Sequence, residues 1–208
     1  MVSEGALVYV VDDDEAIRDS LRLLLRSVGL KSEVFANATD FLSTFDPAQH
    51  ACLLADIRMP GMSGLELQEE LNRRHIEIPT IFITGHGDVP MAVNAIKAGA
   101  VDFIQKPFRD QDLIDRIHEA LQLDSERNQM RQRELSIRSR IETLTPREQE
   151  VMRKVVDGCA NKVIALDLGV SQRTIELHRA RVMHKMGVKS LADLVKVVGQ
   201  VGFGTPEA

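Results

Sequence analysis

Through the first 120 positions, short aliphatic and β-branched runs alternate with stretches whose apolar residues recur at helical spacing. The runs predict strands at Leu7–Val11, Ser32–Phe35, Cys52–Ala55, Thr80–Ile83 and Val101–Ile104. Between them the amphipathic stretches predict helices over Glu15–Ser27, Ala38–Phe45, Gly64–Arg74, Pro90–Ala98 and Asp112–Leu121. Gly29 and Gly99 close the first and fourth of these helices, and Asp46-Pro47 opens a turn. A strand–helix repeat made five times in this length implies an α/β domain with a doubly wound, five-stranded parallel sheet covered on both faces. In such sheets the chemistry gathers at the carboxyl ends of the strands.

From Leu121 to Glu142 the pattern becomes that of a polar helix without Gly or Pro. Leu123, Met130, Ile137 and Leu144 recur every seven residues, but the companion seam positions Ala120, Arg127, Glu134 and Ile141 include two charges. That is a weak coiled-coil seam, and a single solvated linker helix fits as well. Thr145-Pro146-Arg147-Glu148 then reads as a capping box with proline in the first turn. Helical stretches over 161–168, 172–186 and 190–198 follow. The expected organisation is therefore an α/β domain over 1–121, a helical linker over 122–142 and an all-α domain over 143–208.

Composition narrows the setting. The chain has 208 residues, with no apolar run long enough to span a bilayer and no basic and apolar leader in Met1-Val2-Ser3-Glu4-Gly5. Cys52 and Cys159 stand far apart and outside any metal-ligand spacing, so the expected setting is the reducing cytoplasm, with no membrane partner. Absence of Trp and a single Tyr argue against stacking on single-stranded nucleic acid. The net charge of −5 hides a division. Residues 1–120 carry 20 acidic against 11 basic side chains, and residues 121–208 carry 11 against 15. An acidic front and a basic rear point to different partners for the two halves.

The first strand runs straight into Asp12-Asp13-Asp14-Glu15. One of these acids could simply cap the following helix. The third strand ends in Asp56, at the same sheet edge, so Asp12, Asp13 and Asp56 could instead form a cluster of hard oxygens suited to Mg²⁺. The fourth strand leads into Thr84-Gly85 and the fifth into Gln105-Lys106-Pro107-Phe108, adding a hydroxyl and an ammonium to that edge. With these residues, positions 5–120 resemble a two-component receiver domain of flavodoxin-like fold. The resemblance implies Asp56 as phosphoacceptor, and Asp12, Asp13, Asp56 and the Arg58 carbonyl as Mg²⁺ ligands. It also implies Thr84 and Lys106 as phosphoryl contacts and Phe103 as a switch aromatic. Pro107, in a cis bond, would fix the approach of Lys106. Gly85 departs from the alanine usual in the family. A haloacid-dehalogenase-type enzyme would want a threonine two residues after its second acid, where this chain has Ala16.

Asn161–Leu168, the break at Gly169-Val170 and the N-cap signal of Ser171 before Gln172–Met186 make a helix-turn-helix candidate, although ordinary helical hairpins share that pattern. Residues 161–196 hold seven basic against three acidic side chains, which favours DNA. Leu144-Thr145-Pro146-Arg147-Glu148, Asn161-Lys162-Val163-Ile164-Ala165, Arg173-Thr174-Ile175-Glu176-Leu177-His178 and Lys185-Met186 together resemble the LuxR-type DNA-binding domain. The whole chain then resembles the NarL/FixJ class of transcriptional response regulators, FixJ-like in flavour.

That resemblance places the 172–186 helix in the major groove, with Arg173, Thr174 and Arg179 on the phosphate backbone and Glu176, Leu177 and Ala180 at base-reading positions. Ile175, Val182 and Met186 would face the core, and His178 could contact phosphate or pack in the core. Leu191, Leu194, Val195 and Val198 form a stripe that suits either a domain core or the dimer contact the family makes there. The implied partners are a sensor histidine kinase, double-stranded DNA, a second copy of the chain on phosphorylation, and RNA polymerase. Phosphorylation would bias the surface around Met91–Phe108 toward dimer contacts. The implied function is regulatory, not enzymatic. The alternative is a phosphorylation-independent DNA-binding regulator with a vestigial receiver.

Overall fold

Both faces of the first strand, β1 (Leu7–Val11), are covered. Its side chains alternate between them, so Tyr9 and Val11 enter one core while Val8 and Val10 enter another. The computed structural model describes residues 5–85 and 89–203, with side chains at all of these except 89–91. The readings made of Met1–Glu4 and of the Met91 side chain lie outside the described residues. Strands β2 (Lys31–Phe35), β3 (Ala51–Ala55), β4 (Thr80–Thr84) and β5 (Asp102–Gln105) complete a five-stranded parallel sheet ordered β2-β1-β3-β4-β5. Helices α1 (Glu15–Ser27), α2 (Ala38–Thr44), α3 (Gly64–Arg73), α4 (Val89–Lys97) and α5 (Asp110–Glu142) follow the strands in turn.

Phe41 of α2, Leu67 and Leu71 of α3 and Ala95 of α4 cover one sheet face. Leu21 and Leu25 of α1, with Leu113, Ile117 and Ala120 of α5, cover the other. The connections leave the sheet in opposite directions from β1 and β3, which opens a crevice at the carboxyl ends of these two neighbours. Asp12 follows β1 and Asp56 follows β3, and the β1–β3 register aligns Val11 with Ala55.

Helix α5 runs unbroken for 33 residues, so the expected linker over 122–142 is not a separate element. Nothing in its sequence stops the helix where its sheet-facing apolar stripe ends near Leu121. The chain divides into compact units at Asn128/Gln129, inside α5, and the second unit starts well before residue 143. Ile137 and Ile141 are buried in the core of that second unit, whereas Met130 is 61% exposed. The seven-residue repeat is thus consumed in its later part by the unit's own packing.

The second unit continues with α6 (Pro146–Val156), α7 (Asn161–Asp167), α8 (Gln172–Met186) and α9 (Leu191–Gly199). Thr145 and Glu148 close a reciprocal capping box at the start of α6. The Glu148 carboxylate, itself buried, also receives the Lys185 ammonium at 2.7 Å. Val151, Met152, Ile164, Ile175, Val182 and Met186 fill the core with Leu194 and Val198. The last two correct the expected dimer stripe. They are fully buried within the unit, and only Leu191 and Val195, each 41% exposed, remain on its outside.

Candidate functional site

The acids after β1 separate into two jobs. Asp14 is the N-cap of α1, accepting from the Ala16 N–H at 2.8 Å. Asp12, by contrast, is buried; its Oδ1 accepts from the Asp14 N–H at 2.9 Å and its Oδ2 from the Lys106 ammonium at 2.8 Å. One carboxylate oxygen each from Asp12, Asp13 and Asp56 lie within 4.8 Å of one another. Asp13 is exposed and Asp56 half-buried, so the group opens to solvent on one side.

Asp56 Oδ1 is buried and has no hydrogen-bond partner. Burial pushes the Asp56 carboxyl above the usual carboxylate range; Lys106 opposes that shift, and the charges of Asp12 and Asp13 reinforce it. Three carboxylates, one of them with a buried and unsatisfied oxygen, suit a hard divalent cation such as Mg²⁺. The Arg58 side chain is exposed in the loop beyond β3.

The other sheet-edge residues arrive from β4 and β5. Thr84 ends β4 and is buried; its carbonyl accepts from the Lys106 N–H at 2.8 Å. The Lys106–Pro107 peptide is cis. Phe103 pairs in register with Phe82 and is half-buried against the core shared with α3 and α4. Lys106 thus reaches Asp12, on the far side of β3 and β4 in the sheet order, and spans the crevice.

In the second unit, Ser171 caps α8 through the Thr174 N–H at 3.1 Å, and its hydroxyl meets that of Thr174 at 2.8 Å. Ile175, Val182 and Met186 point inward. Arg173, Glu176, Leu177 and Ala180 share the exposed face. Arg179 is half-buried, and its guanidinium donates to Asn161 Oδ1 at 2.7 Å, joining α8 to the start of α7. His178 Nδ1 is buried without a hydrogen-bond partner.

Several contacts have no signal in sequence spacing. Arg18 donates to the Asp12 carbonyl at 2.6 Å, and Arg140 donates to the Met186 carbonyl at the end of α8 at 3.1 Å. At the opposite edge of the sheet, buried Asp124 accepts from the Ala51 N–H at 3.1 Å and lies 2.6 Å from His50 Nδ1. Each pairs residues distant in the chain or buried by tertiary packing.

Residues 8–118 match the family described as response regulator receiver domain, and residues 142–198 match bacterial regulatory proteins of the luxR family. Nodulation protein W of Bradyrhizobium diazoefficiens is 47% identical over 201 residues, covering 97% of this chain and 88% of that protein. The transcriptional regulatory protein FixJ of Rhizobium meliloti is 46% identical over 201 residues, covering 95% and 97%. Among solved structures, the response regulator StyR is similar with a TM-score of 0.85 and 47% identity, covering 94% of this chain and 99% of that one.

Proposed function

Because the chain belongs to the response regulators, with a receiver domain and a LuxR-type DNA-binding domain, we propose that it takes a phosphoryl group on Asp56 and answers with tighter DNA binding. Its family consists of transcriptional regulators, not enzymes; a receiver implies a histidine kinase as donor, and a LuxR-type unit implies DNA as target. No helix among the described residues is long and apolar enough to cross a membrane. Reducing conditions in the cytoplasm suit the free Cys52 and Cys159.

The observation that carries this reading is the convergence of Asp12, Asp13 and Asp56 beside Lys106, with one Asp56 oxygen buried and unsatisfied. Asp56 attacks the phosphorus of a phosphohistidine; the P–N bond breaks and an acyl phosphate forms on the carboxylate. Asp12, Asp13 and Asp56, with the Arg58 carbonyl, would hold Mg²⁺, which supplies positive charge to offset repulsion between the carboxylate and the incoming group. The Lys106 ammonium contributes the same offset from the protein side. Thr84 and Phe103 follow the new dianion, and the change spreads over the β4–β5 side of the receiver. Arg173, Thr174 and Arg179 position α8 on the phosphate backbone. Leu191 and Val195 are the large apolar positions of α9 that stand exposed to a second copy, and RNA polymerase would be a further partner of the assembled dimer.

A vestigial receiver has no use for this arrangement, and its retention weighs against phosphorylation-independent control. The test is incubation of the full chain with acetyl phosphate and Mg²⁺, followed by mass spectrometry, sedimentation and gel shift. A phosphoryl adduct should form, dimer fraction and DNA affinity should rise with it, and Asp56→Asn should abolish all three. Undiminished labelling of that variant rejects Asp56 as acceptor.

A further inference from the structure

On the reading of α8 as the DNA-facing helix, we propose that each half-site of the operator contains a cytosine read by Glu176, beside a thymine whose methyl group meets Leu177. Arg173, Glu176, Leu177 and Ala180 occupy one exposed face of α8. Glu176 is an anion on the side of the unit that would approach a polyanion. It has no ion pair with a described residue, although Arg173 stands three positions before it and Arg179 three positions after. The guanidinium of Arg179 is drawn away to Asn161 Oδ1 at 2.7 Å, which leaves the Glu176 carboxylate uncommitted.

An ionised carboxylate can only accept hydrogen bonds. The major-groove edge of guanine offers two acceptors, and adenine sets its N7 acceptor next to its amino group. Cytosine offers an amino donor with no acceptor beside it, so it is the base an acceptor-only side chain selects. Leu177 is 52% exposed and brings no polar group, so its match in the groove is the thymine methyl. Ala180 adds a second methyl on the same face and leaves room for the helix to approach. From Glu176 to Leu177 the helix advances about 1.5 Å, less than one base-pair step of about 3.4 Å. The cytosine and thymine therefore fall within neighbouring base pairs.

The experiment is selection of binding sites by the full chain from a random-sequence duplex library, with and without acetyl phosphate, at one salt concentration. Wild-type pools should converge on a cytosine with a neighbouring thymine in each half-site. Glu176→Gln should move the cytosine position to adenine, because an amide supplies the donor and acceptor that adenine matches. Mispairing a variant with the other's site should cost about five- to a hundredfold in affinity. Replacing the thymine of the selected site by deoxyuridine should weaken wild-type binding several-fold and leave Leu177→Ala indifferent. Both substitutions are at exposed positions, and unchanged thermal melting confirms their fold. A degenerate or guanine-rich position in the wild-type pool overturns the proposal, as does an unaltered preference of Glu176→Gln or equal binding to uracil and thymine. A wild-type pool with no enriched sequence at all rejects the DNA-reading role of α8 itself.

Discussion

Gly64 lies so close to Asp56 that a β-carbon at position 64 would stand 2.3 Å from the Asp56 carbonyl oxygen and 2.9 Å from the Phe82 ring. The glycine opens α3 directly after its N-cap Ser63, so the absence of a side chain lets that helix start against the backbone of the acceptor strand. Gly64→Ala should displace the start of α3 and destabilise the receiver by about 1–3 kcal/mol, as overpacking does. Urea melting measures the second effect and the rate of labelling by acetyl phosphate the first. Labelling at the wild-type rate would show that the acceptor loop does not depend on this approach.

Asp13 is the exposed member of the acidic group, so its removal tests the cation site without disturbing the core. A cation that binds only the folded protein raises its melting temperature by mass action. Wild-type protein should therefore melt higher as Mg²⁺ is titrated in, and Asp13→Ala should need more Mg²⁺ for the same shift. Identical titration curves for the two proteins would count against Asp13 as a ligand.

The Glu148 carboxyl is held below its usual range by the Lys185 ammonium and by the Thr145 N–H. A carboxylate whose folded pKa is depressed stabilises the fold fully above its unfolded value of about 4.3 and loses that contribution as pH falls through the folded value. Melting of the second unit should accordingly drop on acidification below about pH 4, and Glu148→Gln should flatten that part of the profile. A variant with the same acid dependence as wild type would assign it to other carboxylates.

Ile137 and Ile141 belong to the core of the second unit, and Arg140 donates to the Met186 carbonyl at the end of α8. A fragment of residues 129–208 should fold and bind DNA. One starting at residue 143 lacks both isoleucines, each worth about 1.5–3 kcal/mol of burial, a large share of a typical stability of about 5–15 kcal/mol. Circular dichroism melts of the two fragments check this, and equal melting would show that the α5 segment contributes little.

The sheet was legible because its central strands are apolar on both faces and bounded by turn residues. The β1 and α1 bounds agree with the pattern to the residue. Asp12, Asp13 and Asp56 were legible as a group because a parallel sheet brings successive strand ends to one edge. Periodicity reports which residues share a helix face but not what covers it. Leu191, Leu194, Val195 and Val198 therefore read as one stripe although only half of it is exposed. It reports equally poorly where one helix changes the core it serves, which is why α5 read as two elements. The reach of Lys106 to Asp12 and of His50 to Asp124 belongs to tertiary packing, 94 and 74 residues apart in the chain, and has no local signature.

Helix α5 answers to two cores: Leu113, Ile117 and Ala120 serve the sheet, and Ile137 and Ile141 the second unit. Cooperative opening follows packed cores rather than secondary-structure labels. The amides of this one helix should therefore exchange with solvent in two blocks. Those before Asn128 keep the protection of the receiver, and those near Ile137 and Ile141 that of the DNA-binding unit. The exposed turns around Met130 are the place where the protection steps from one value to the other. A continuous helix here is the seam between two foldons.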